Sequence, residues 1–258
     1  MCTLLALHRC FPDAPLVIAA NRDEYHDRPA EGPRLRFGGG RRILAPRDLR
    51  EGGTWLGWNE AGLFAGLTNR PTASPDPHRR SRGNLVIDLL SEGSAKEASE
   101  RLAALPAGAF NPCNLLLADG LAAYSVVLEG RPRIAELEPG AHVIGNADPN
   151  DAGHPKVGRL MQEVAPIADG PLDGAVGALA HALRMHVPEG DTRTPLEATC
   201  IHAGPYGTRS STLYVRGRRR EEDLLLYADG PPCETSFEDM TPLLAELDLS
   251  AGIASEPR

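Results

Sequence analysis

The chain begins Met1-Cys2-Thr3-Leu4-Leu5-Ala6-Leu7-His8, a strand-like apolar run with a cysteine directly behind the initiator methionine. Removal of Met1 would leave Cys2 with both a thiol and a free α-amino group. Their reference pKa values, about 8.5 for the thiol and about 7.7–8.0 for the amine, make proton transfer between them nearly thermoneutral. The sequence therefore suggests a nucleophile with its own base, although a small buried cysteine in a first strand is also common.

Two short apolar runs, residues 3–8 and residues 15–20, predict a β-hairpin, because the connecting residues 11–14 contain proline and aspartate. The second strand would end beside the start of the first and bring residues 21–23 close to Cys2. A carboxylate there can hold a terminal ammonium, and a guanidinium can lower the pKa of a thiol or orient a carbonyl. The alternative is that these charged residues only begin a solvated loop.

Seven short motifs occur in a fixed order along the chain. They are Met1-Cys2, Asn21-Arg22-Asp23-Glu24, Gly52-Gly53-Thr54-Trp55-Leu56-Gly57, Leu67-Thr68-Asn69, Ser81-Arg82-Gly83, Gly145-Asn146 and Gly207-Thr208-Arg209. From residue 1 to about residue 240 the chain resembles the NRDE family, also called the transport and Golgi organisation protein 2 family. That family is similar to the cysteine-type N-terminal nucleophile (Ntn) hydrolases, which include penicillin V acylase and conjugated bile acid hydrolase. An ordered set of motifs is far more specific than any one of them.

The resemblance implies an α+β fold, a four-layer αββα sandwich of two antiparallel sheets flanked by helices. Local patterns favour the same layering, because pairs of helices alternate with groups of short strands. The predicted strands beyond the first hairpin are residues 54–58, 63–68, 115–118, 122–128, 133–137, 212–215 and 224–228, and the predicted helices are 83–90, 94–105, 156–164 and 172–185. Residues 1–258 are expected to form one domain, with a disordered tail from about residue 250.

The resemblance also implies a set of site residues. Acyl transfer creates an oxyanion, which neutral donors such as asparagine side chains stabilise. Asn69 and Asn146 match positions where cysteine Ntn hydrolases carry such asparagines, and Arg209 matches a late arginine near the nucleophile. From the residues alone, an asparagine in such a position is more often a turn former than a catalyst. The candidate catalytic residues are Cys2, Arg22, Asp23, Asn69, Asn146 and Arg209, and the candidate substrate contacts are Asn21, Trp55 and Thr68.

Arg22 and Asp23 are adjacent, so in an extended strand their side chains face opposite ways. We expect one of them to contact Cys2 directly. Asp23 is assigned to holding the amine and Arg22 to an ion pair elsewhere, with the reverse assignment left open. Trp55 and Trp58 cannot share one strand face, so one is expected in the core and the other beside a pocket.

Composition limits the classes of function. The 258 residues carry a net charge of −8, which makes a nucleic-acid partner held by a basic surface improbable. No apolar run resembles a signal peptide or approaches the length of a membrane span, and a cytoplasmic location is expected. The five cysteines are odd in number and show no CxxC spacing, which argues against a disulfide framework and against a structural zinc site. The oligomeric state stays open.

Two functions of different class follow from the resemblance. In the first, the chain is an N-terminal-cysteine hydrolase or acyltransferase that acts on a small amide or thioester through an acyl-enzyme and needs no cofactor. In the alternative, the same pocket only binds, and the chain takes part in haem or acyl-coenzyme A and lipid handling or trafficking. A cysteine thiolate, His8 or His202 would then be a candidate iron ligand, although the sequence has no haem-attachment motif.

Overall fold

The hairpin predicted at the start of the chain is formed. In a computed structural model, which describes residues 2–249, β1 (Cys2–His8) pairs antiparallel with β2 (Leu16–Tyr25). The register places Cys2 opposite Arg22. Met1 and the tail predicted from about residue 250 lie outside the described residues.

The remaining strands complete two antiparallel sheets of seven strands each in the described part of the chain. The first sheet contains β1, β2, β10 (Gly140–Ile144), β11 (His202–Ala203), β12 (Tyr206–Arg216), β13 (Leu224–Ala228) and β14 (Glu238–Asp239). Its order is β10-β1-β2-β12-β13-β14, with β11 paired to β12. The first hairpin is therefore central, covered at its edges by strands from the second half of the chain.

The second sheet is a meander in which each strand pairs with the next. Its strands are β3 (Ala30–Gly38), β4 (Arg41–Asp48), β5 (Leu56–Asn59), β6 (Phe64–Asn69), β7 (Cys113–Ala118), β8 (Ala123–Glu129) and β9 (Arg131–Glu136). The predicted hairpin at residues 54–68 is its centre, formed by β5 and β6.

Four of the five helices within residues 2–249 lie where the sequence predicts helices. The bounds are α1 (Arg82–Leu89), α2 (Ala95–Ala103), α3 (Pro155–Ala168), α4 (Leu172–Arg184) and α5 (Thr241–Leu249). At the start of α2, Ser94 Oγ accepts a hydrogen bond from the Glu97 amide at 3.2 Å, which caps the helix N-terminus. In this part of the chain no helix has the length and apolar character that a membrane span requires.

Alternation of side chains in the first hairpin creates the layers. Leu4 and Ile18 face the second sheet and share its core cluster with Phe64. Leu5 and Val17 face the other way, into the cluster that contains α3 and α4. A third cluster lies between the second sheet and the helices α1 and α2. The predicted four-layer αββα arrangement and its α+β class are confirmed.

Candidate active site

Side chains of the first hairpin alternate between the two faces of the sheet up to the end of the hairpin. This alternation determines which site residues lie close together. Cys2 and Arg22 are cross-strand partners, and they have the same parity as Leu4 and Ala20 on the inter-sheet face. Asn21 and Asp23 therefore project to the helix-covered face. The expectation that Arg22 and Asp23 face opposite ways agrees with this register.

The Cys2 thiol opens into a small cavity between the ends of the two sheets, which we call the Cys2 cavity. Its volume is about 90 Å³, room for about three water molecules. Its lining residues are Cys2, Arg22, Asp23, Glu24, Arg28, Asp48, Thr54, Trp55, Leu67, Asn69, Ser81, Arg82 and Gly83. Such a volume accepts the group around a scissile bond but not a long acyl chain.

A larger groove lies on the other side of Asn69, and we call it the outer groove. Its volume is about 590 Å³, and it is lined by Tyr25, Asn69, Arg70, Pro71, Asn146, Leu196, Ala203, Pro205 and Tyr206. The Tyr25 and Leu196 side chains are 55% and 41% exposed, so the groove presents apolar surface to solvent. Asn69 is common to the groove and to the Cys2 cavity and therefore lies between the two spaces.

Two glycines allow the walls of the Cys2 cavity to come together. A Cβ atom on Gly53 would lie 2.4 Å from the carbonyl carbon of Gly83, closer than any side chain tolerates. The Thr54 amide donates to the Gly83 carbonyl oxygen at 3.1 Å across this contact. The segment before β5 is thereby fixed against the start of α1, which is why both glycine motifs border the cavity.

The surroundings of Cys2 favour its neutral thiol form. Its side chain is 7% exposed, and the thiol donates a weak hydrogen bond to the Asp23 carbonyl oxygen at 4.0 Å. Burial raises the pKa of the Cys2 thiol and the Asp23 carboxylate adds to the increase, while Arg22 opposes it. Arg22 thus lowers this pKa as expected, but desolvation of the thiolate outweighs the guanidinium and the net shift is upward.

Asp23 is completely enclosed on the helix-covered face. The Thr208 hydroxyl donates to its Oδ1 at 2.7 Å, and the Tyr206 hydroxyl donates to its backbone oxygen at 2.8 Å. Burial raises the pKa of the Asp23 carboxyl to about 6, against the opposing influence of Lys156 and Thr208. This carboxyl therefore changes charge close to neutral pH, as catalytic groups often do.

Lys156, in the first turn of α3, is a site residue that sequence reasoning missed. Its side chain is 4% exposed, and its ammonium has no hydrogen-bond partner within residues 2–249. Burial lowers the pKa of Lys156, while the negative charges of Asp23 and Cys2 oppose the decrease. The composition contained a signal, since Lys96 and Lys156 are the two lysines of a chain whose other basic residues of this class are arginines. Lysine, unlike arginine, loses its proton readily when it is buried.

The Arg22 guanidinium lies over the Trp55 ring, with Cζ 4.4 Å from the ring centroid. Among the described residues it makes no ion pair, in contrast to the expectation of a salt bridge elsewhere. The cation is therefore held by an aromatic face inside the Cys2 cavity and keeps its N–H donors for a ligand. Trp58 is buried against Phe64 and Tyr214, so the division between one core and one pocket tryptophan is as expected.

The two candidate oxyanion donors lie beside each other at the ends of neighbouring segments. Asn146 Nδ2 donates to the backbone oxygen of Asn69. Asn146 lines the outer groove, whereas Asn69 lines both spaces. No described residue hydrogen-bonds to the Asn69 side chain, so its amide is available to a ligand. The two asparagines are adjacent, but only Asn69 borders the Cys2 cavity.

Four of the candidate residues, Asn146 among them, do not line the Cys2 cavity. Asn21 donates to the carbonyl oxygens of Leu183 and Thr199 at 2.9 Å each, and it accepts a hydrogen bond from Ser211. Its side chain thus joins β2 to the helical layer, on the face opposite to Cys2.

Thr68 and Arg209 are likewise engaged elsewhere. Thr68 is fully buried and donates to the Gly145 carbonyl oxygen, which holds the Asn146 loop against β6. Arg209 sits in the β-bulge of β12 and donates to the His26 carbonyl oxygen at 3.0 Å. The bulge adds one residue to the strand and turns this side chain away from the cavity.

The two candidate histidine ligands for iron do not belong to either space. His8 is buried at the far end of β1, and neither His8 nor His202 lines the Cys2 cavity or the outer groove. His202 instead belongs to a group of potential metal ligands with His186, Cys200 and Cys233.

A family model described as "Transport and Golgi organisation 2" matches residues 1–223. The chain belongs to this family. The resemblance expected from the ordered motifs of the transport and Golgi organisation 2 family is thereby confirmed.

Similar proteins include the human and mouse transport and Golgi organization protein 2 homologues, with 33% and 31% identity over 140 residues. Each match covers 51% of this chain and 50% of the relative. The chain thus spans about half the length of the relatives that it matches.

Solved structures that share the fold include three Ntn-hydrolase-fold proteins. Penicillin V acylase from Agrobacterium tumefaciens has a TM-score of 0.57 and 16% identity, covering 95% of this chain and 88% of its own. A mutant conjugated bile acid hydrolase from Clostridium perfringens has a TM-score of 0.57 and 13% identity, with coverages of 96% and 94%. An N-acylethanolamine-hydrolyzing acid amidase orthologue from Caenorhabditis elegans gives 0.55 and 12%, with coverages of 83% and 92%. At these identities the likeness shows the fold alone.

Proposed function

We propose that the chain is an N-terminal-cysteine hydrolase or acyltransferase that cleaves a small linear amide or thioester through an acyl-enzyme. One observation carries the proposal. The Cys2 thiol, the Arg22 guanidinium and the unengaged Asn69 amide all border one cavity of about 90 Å³. A nucleophile, a cation and a neutral donor around a single small space are the groups that acyl transfer requires.

In the proposed acylation step, the α-amine of Cys2 takes the thiol proton as the sulfur attacks the substrate carbonyl carbon. The carbonyl electron pair moves to oxygen, and the Asn69 side-chain amide donates an N–H group to this oxyanion, while Asn146 supports Asn69 through the hydrogen bond to its backbone oxygen. Collapse of the intermediate breaks the C–N or C–S bond, and the α-ammonium returns its proton to the leaving amine or thiol. Transfer of the proton during attack fits a thiol whose pKa is raised by burial.

In the proposed deacylation step, water or an acceptor amine attacks the thioester and releases the acid or the new amide. The same α-amine accepts the proton of the attacking group and returns it to the Cys2 sulfur. Asp23 is assigned to holding and orienting the amine in its protonated state, since its carboxyl is enclosed beside the strand end. The sequence of steps needs no metal or cofactor.

The outer groove is assigned to the non-reacting part of the substrate. Its volume is about 590 Å³, and Tyr25, Leu196 and Tyr206 give it aromatic and aliphatic walls. Because Asn69 borders both spaces, an apolar group in the groove would place its carbonyl at the Cys2 cavity. An acyl chain or an aromatic acyl group therefore suits the site better than a charged one. A cytoplasmic setting, where Cys2 stays reduced, is part of the proposal.

Removal of Met1 is a requirement of the mechanism, and we expect it in protein expressed without an N-terminal tag. The small side chain of Cys2 favours removal, and the freed α-amine is the proposed base. Intact-mass measurement checks this directly. Retention of Met1 on nearly all molecules, in preparations that nonetheless turn over amides, would rule out the α-amine as base.

The proposed activity is tested with p-nitroanilides and N-acetylcysteamine thioesters of acetyl, octanoyl and phenylacetyl groups. We expect release of p-nitroaniline or thiol by Met1-free protein, with apolar acyl groups preferred over acetyl. Turnover of none of these probes, together with tight binding of octanoyl-coenzyme A, would favour a non-catalytic function.

Lys156 gives the proposal a pH signature. Asp23 must be ionised to hold the amine, so we expect activity to rise as the pH increases through about 6, the pKa of its carboxyl. The Lys156 ammonium stabilises this carboxylate. Lys156→Met should therefore raise the Asp23 pKa further and move the acidic limb of kcat/KM to higher pH.

The matched control for this profile is Lys96→Met, because Lys96 is exposed on α2. Its profile should coincide with that of the unchanged protein. An acidic limb that stays in place in Lys156→Met, with the fold retained by circular dichroism, would show that Lys156 does not act on the titrating group.

The alternative that retains structural support is binding of acyl-coenzyme A or lipid without chemistry. The exposed apolar surface of Tyr25 and Leu196 in the outer groove favours it. Haem binding has less support: Cys2 borders a cavity of only about 90 Å³, and within residues 2–249 no histidine lines either space.

A further inference from the structure

Four side chains with metal-binding atoms meet at one place outside the Cys2 cavity. They are His186, Cys200, His202 and Cys233, and one ligand atom of each lies within 4.8 Å of the others. The two Sγ atoms are 3.5 Å apart. His202 Nε2 lies 3.2 Å from Cys233 Sγ and 3.9 Å from Cys200 Sγ.

We propose that these four residues bind one Zn²⁺ ion as a structural site. Zinc takes four ligands in a tetrahedron, with Zn–S of about 2.3 Å and Zn–N of about 2.0–2.1 Å. That geometry separates two sulfur ligands by about 3.8 Å and a sulfur and a nitrogen ligand by about 3.6 Å. The three separations among Cys200, His202 and Cys233 differ from those values by only a few tenths of an ångström. Small shifts bring these three side chains to tetrahedral positions, and His186, whose ligand atom lies within 4.8 Å of theirs, supplies the fourth ligand.

The donor set selects the metal. Two thiolates and two imidazoles are soft and borderline ligands, which favour Zn²⁺ over Mg²⁺ or Ca²⁺. On binding, Cys200 and Cys233 each lose one proton, and the two resulting negative charges balance the ion. The His186 ring is already oriented, because its Nδ1 lies 3.1 Å from the Cys200 carbonyl oxygen. A backbone contact of this kind commonly fixes a metal-binding histidine.

The ligands come from three separate segments, so their spacing in the sequence does not reveal the site. His186 follows α4, Cys200 and His202 lie at β11, and Cys233 lies between β13 and β14. Pairing of β12 with both β11 and β13 brings the last two segments together. The absence of a CxxC motif excludes only zinc sites built from closely spaced cysteine pairs, and the two cysteines of this cluster are 33 residues apart. Three of the four residues, all except Cys233, also line a surface cavity, which gives an ion a route of entry.

The ion would hold the segment that supports Asp23. The Ile201 amide, between two of the ligands, donates to Thr208 Oγ1 at 2.9 Å. The same hydroxyl donates to Asp23 Oδ1 at 2.7 Å. Zinc would thus fix a short hydrogen-bonded path that ends at the buried carboxyl, without contacting the Cys2 cavity.

The test uses untagged protein purified with a reducing agent, so that no affinity tag supplies histidines. We expect one equivalent of zinc per chain by elemental analysis after dialysis. After replacement of zinc by Co²⁺, we expect thiolate-to-cobalt charge-transfer bands and the visible absorption of a tetrahedral centre. Cys233→Ser should lose the stoichiometric zinc and weaken Co²⁺ binding by at least roughly 100-fold, whereas Cys10→Ser should retain both.

Stability gives a second readout that does not depend on catalysis. A chelator should lower the Tm of the unchanged protein and leave the Tm of Cys233→Ser unaltered. Cys233 is exposed, and so is His202, so His202→Ala serves as a second variant if one substitution impairs folding. Absence of stoichiometric zinc together with absence of the cobalt bands would overturn the proposal. Isolation of a Cys200–Cys233 disulfide from the reducing preparation would also overturn it.

Discussion

Cys2→Ala is expected to abolish turnover, with a loss in kcat of roughly 10⁴–10⁶. The substitution removes the only sulfur that borders the Cys2 cavity among the described residues, while the α-amine and the oxyanion donors remain. Without a nucleophile no acyl-enzyme forms, and the residual rate reflects binding and oxyanion stabilisation alone. The measurement is kcat for the best p-nitroanilide, with circular dichroism and Tm as evidence that the fold is unchanged.

The control for this loss is Cys10→Ala. Cys10 is half-buried after the end of β1, and its thiol contacts the His8 carbonyl oxygen rather than the Cys2 cavity. Its replacement should leave kcat within about twofold of the value for the unchanged protein, as expected for a residue outside the active site. Retention of most activity in Cys2→Ala would refute the assignment of the nucleophile.

Asn69→Ala should lower kcat by roughly 10²–10³ with little change in KM, the usual effect of removing one oxyanion-hole donor. The Asn69 side chain has no hydrogen-bond partner among the described residues, so its truncation costs the fold little. The expected signature is therefore loss of the transition-state interaction in a protein with an unchanged Tm.

Asn69→Asp separates donation from shape. The carboxylate has the same outline as the amide, but it is an acceptor and carries a charge of the same sign as the oxyanion. We expect it to be at least as inactive as Asn69→Ala. An Asn69→Asp variant as active as the unchanged protein would show that Asn69 does not donate to the oxyanion.

Elements with strong local signals were predictable from the sequence. The first hairpin, the β5–β6 hairpin and helices α1 to α4 all have apolar periodicity bounded by turn or capping residues. Strands β3 and β4 were missed, because their arginine-rich sequences show no clear apolar alternation. Strand β10 was missed because its short sequence shows no clear strand pattern. The strand is stabilised by its pairing with β1, which is a tertiary contact.

The site was predictable where it depends on the first hairpin and on the alternation of its side chains between the two faces of the sheet. Cys2 and Arg22 meet because the register is set by that hairpin alone. Asn21 and Thr68 belong to the family motifs, but their side chains hold structural layers together. The order of motifs in the sequence does not distinguish such structural residues from residues that contact a substrate. Lys156 acts on the charge of Asp23 only because α3 packs on the first sheet. The cluster of His186, Cys200, His202 and Cys233 likewise depends on three separate segments. Both are products of tertiary structure.

The most direct test of the account is the intact mass of the protein during turnover. The protein is mixed with the p-nitrophenyl ester of the preferred acyl group and quenched in acid at successive times. The account predicts a species with the mass of the Met1-free chain plus one acyl group, formed with the burst of p-nitrophenol and mapped to the Cys2 sulfur. Turnover with no adduct, or the same adduct in Cys2→Ala, would contradict it.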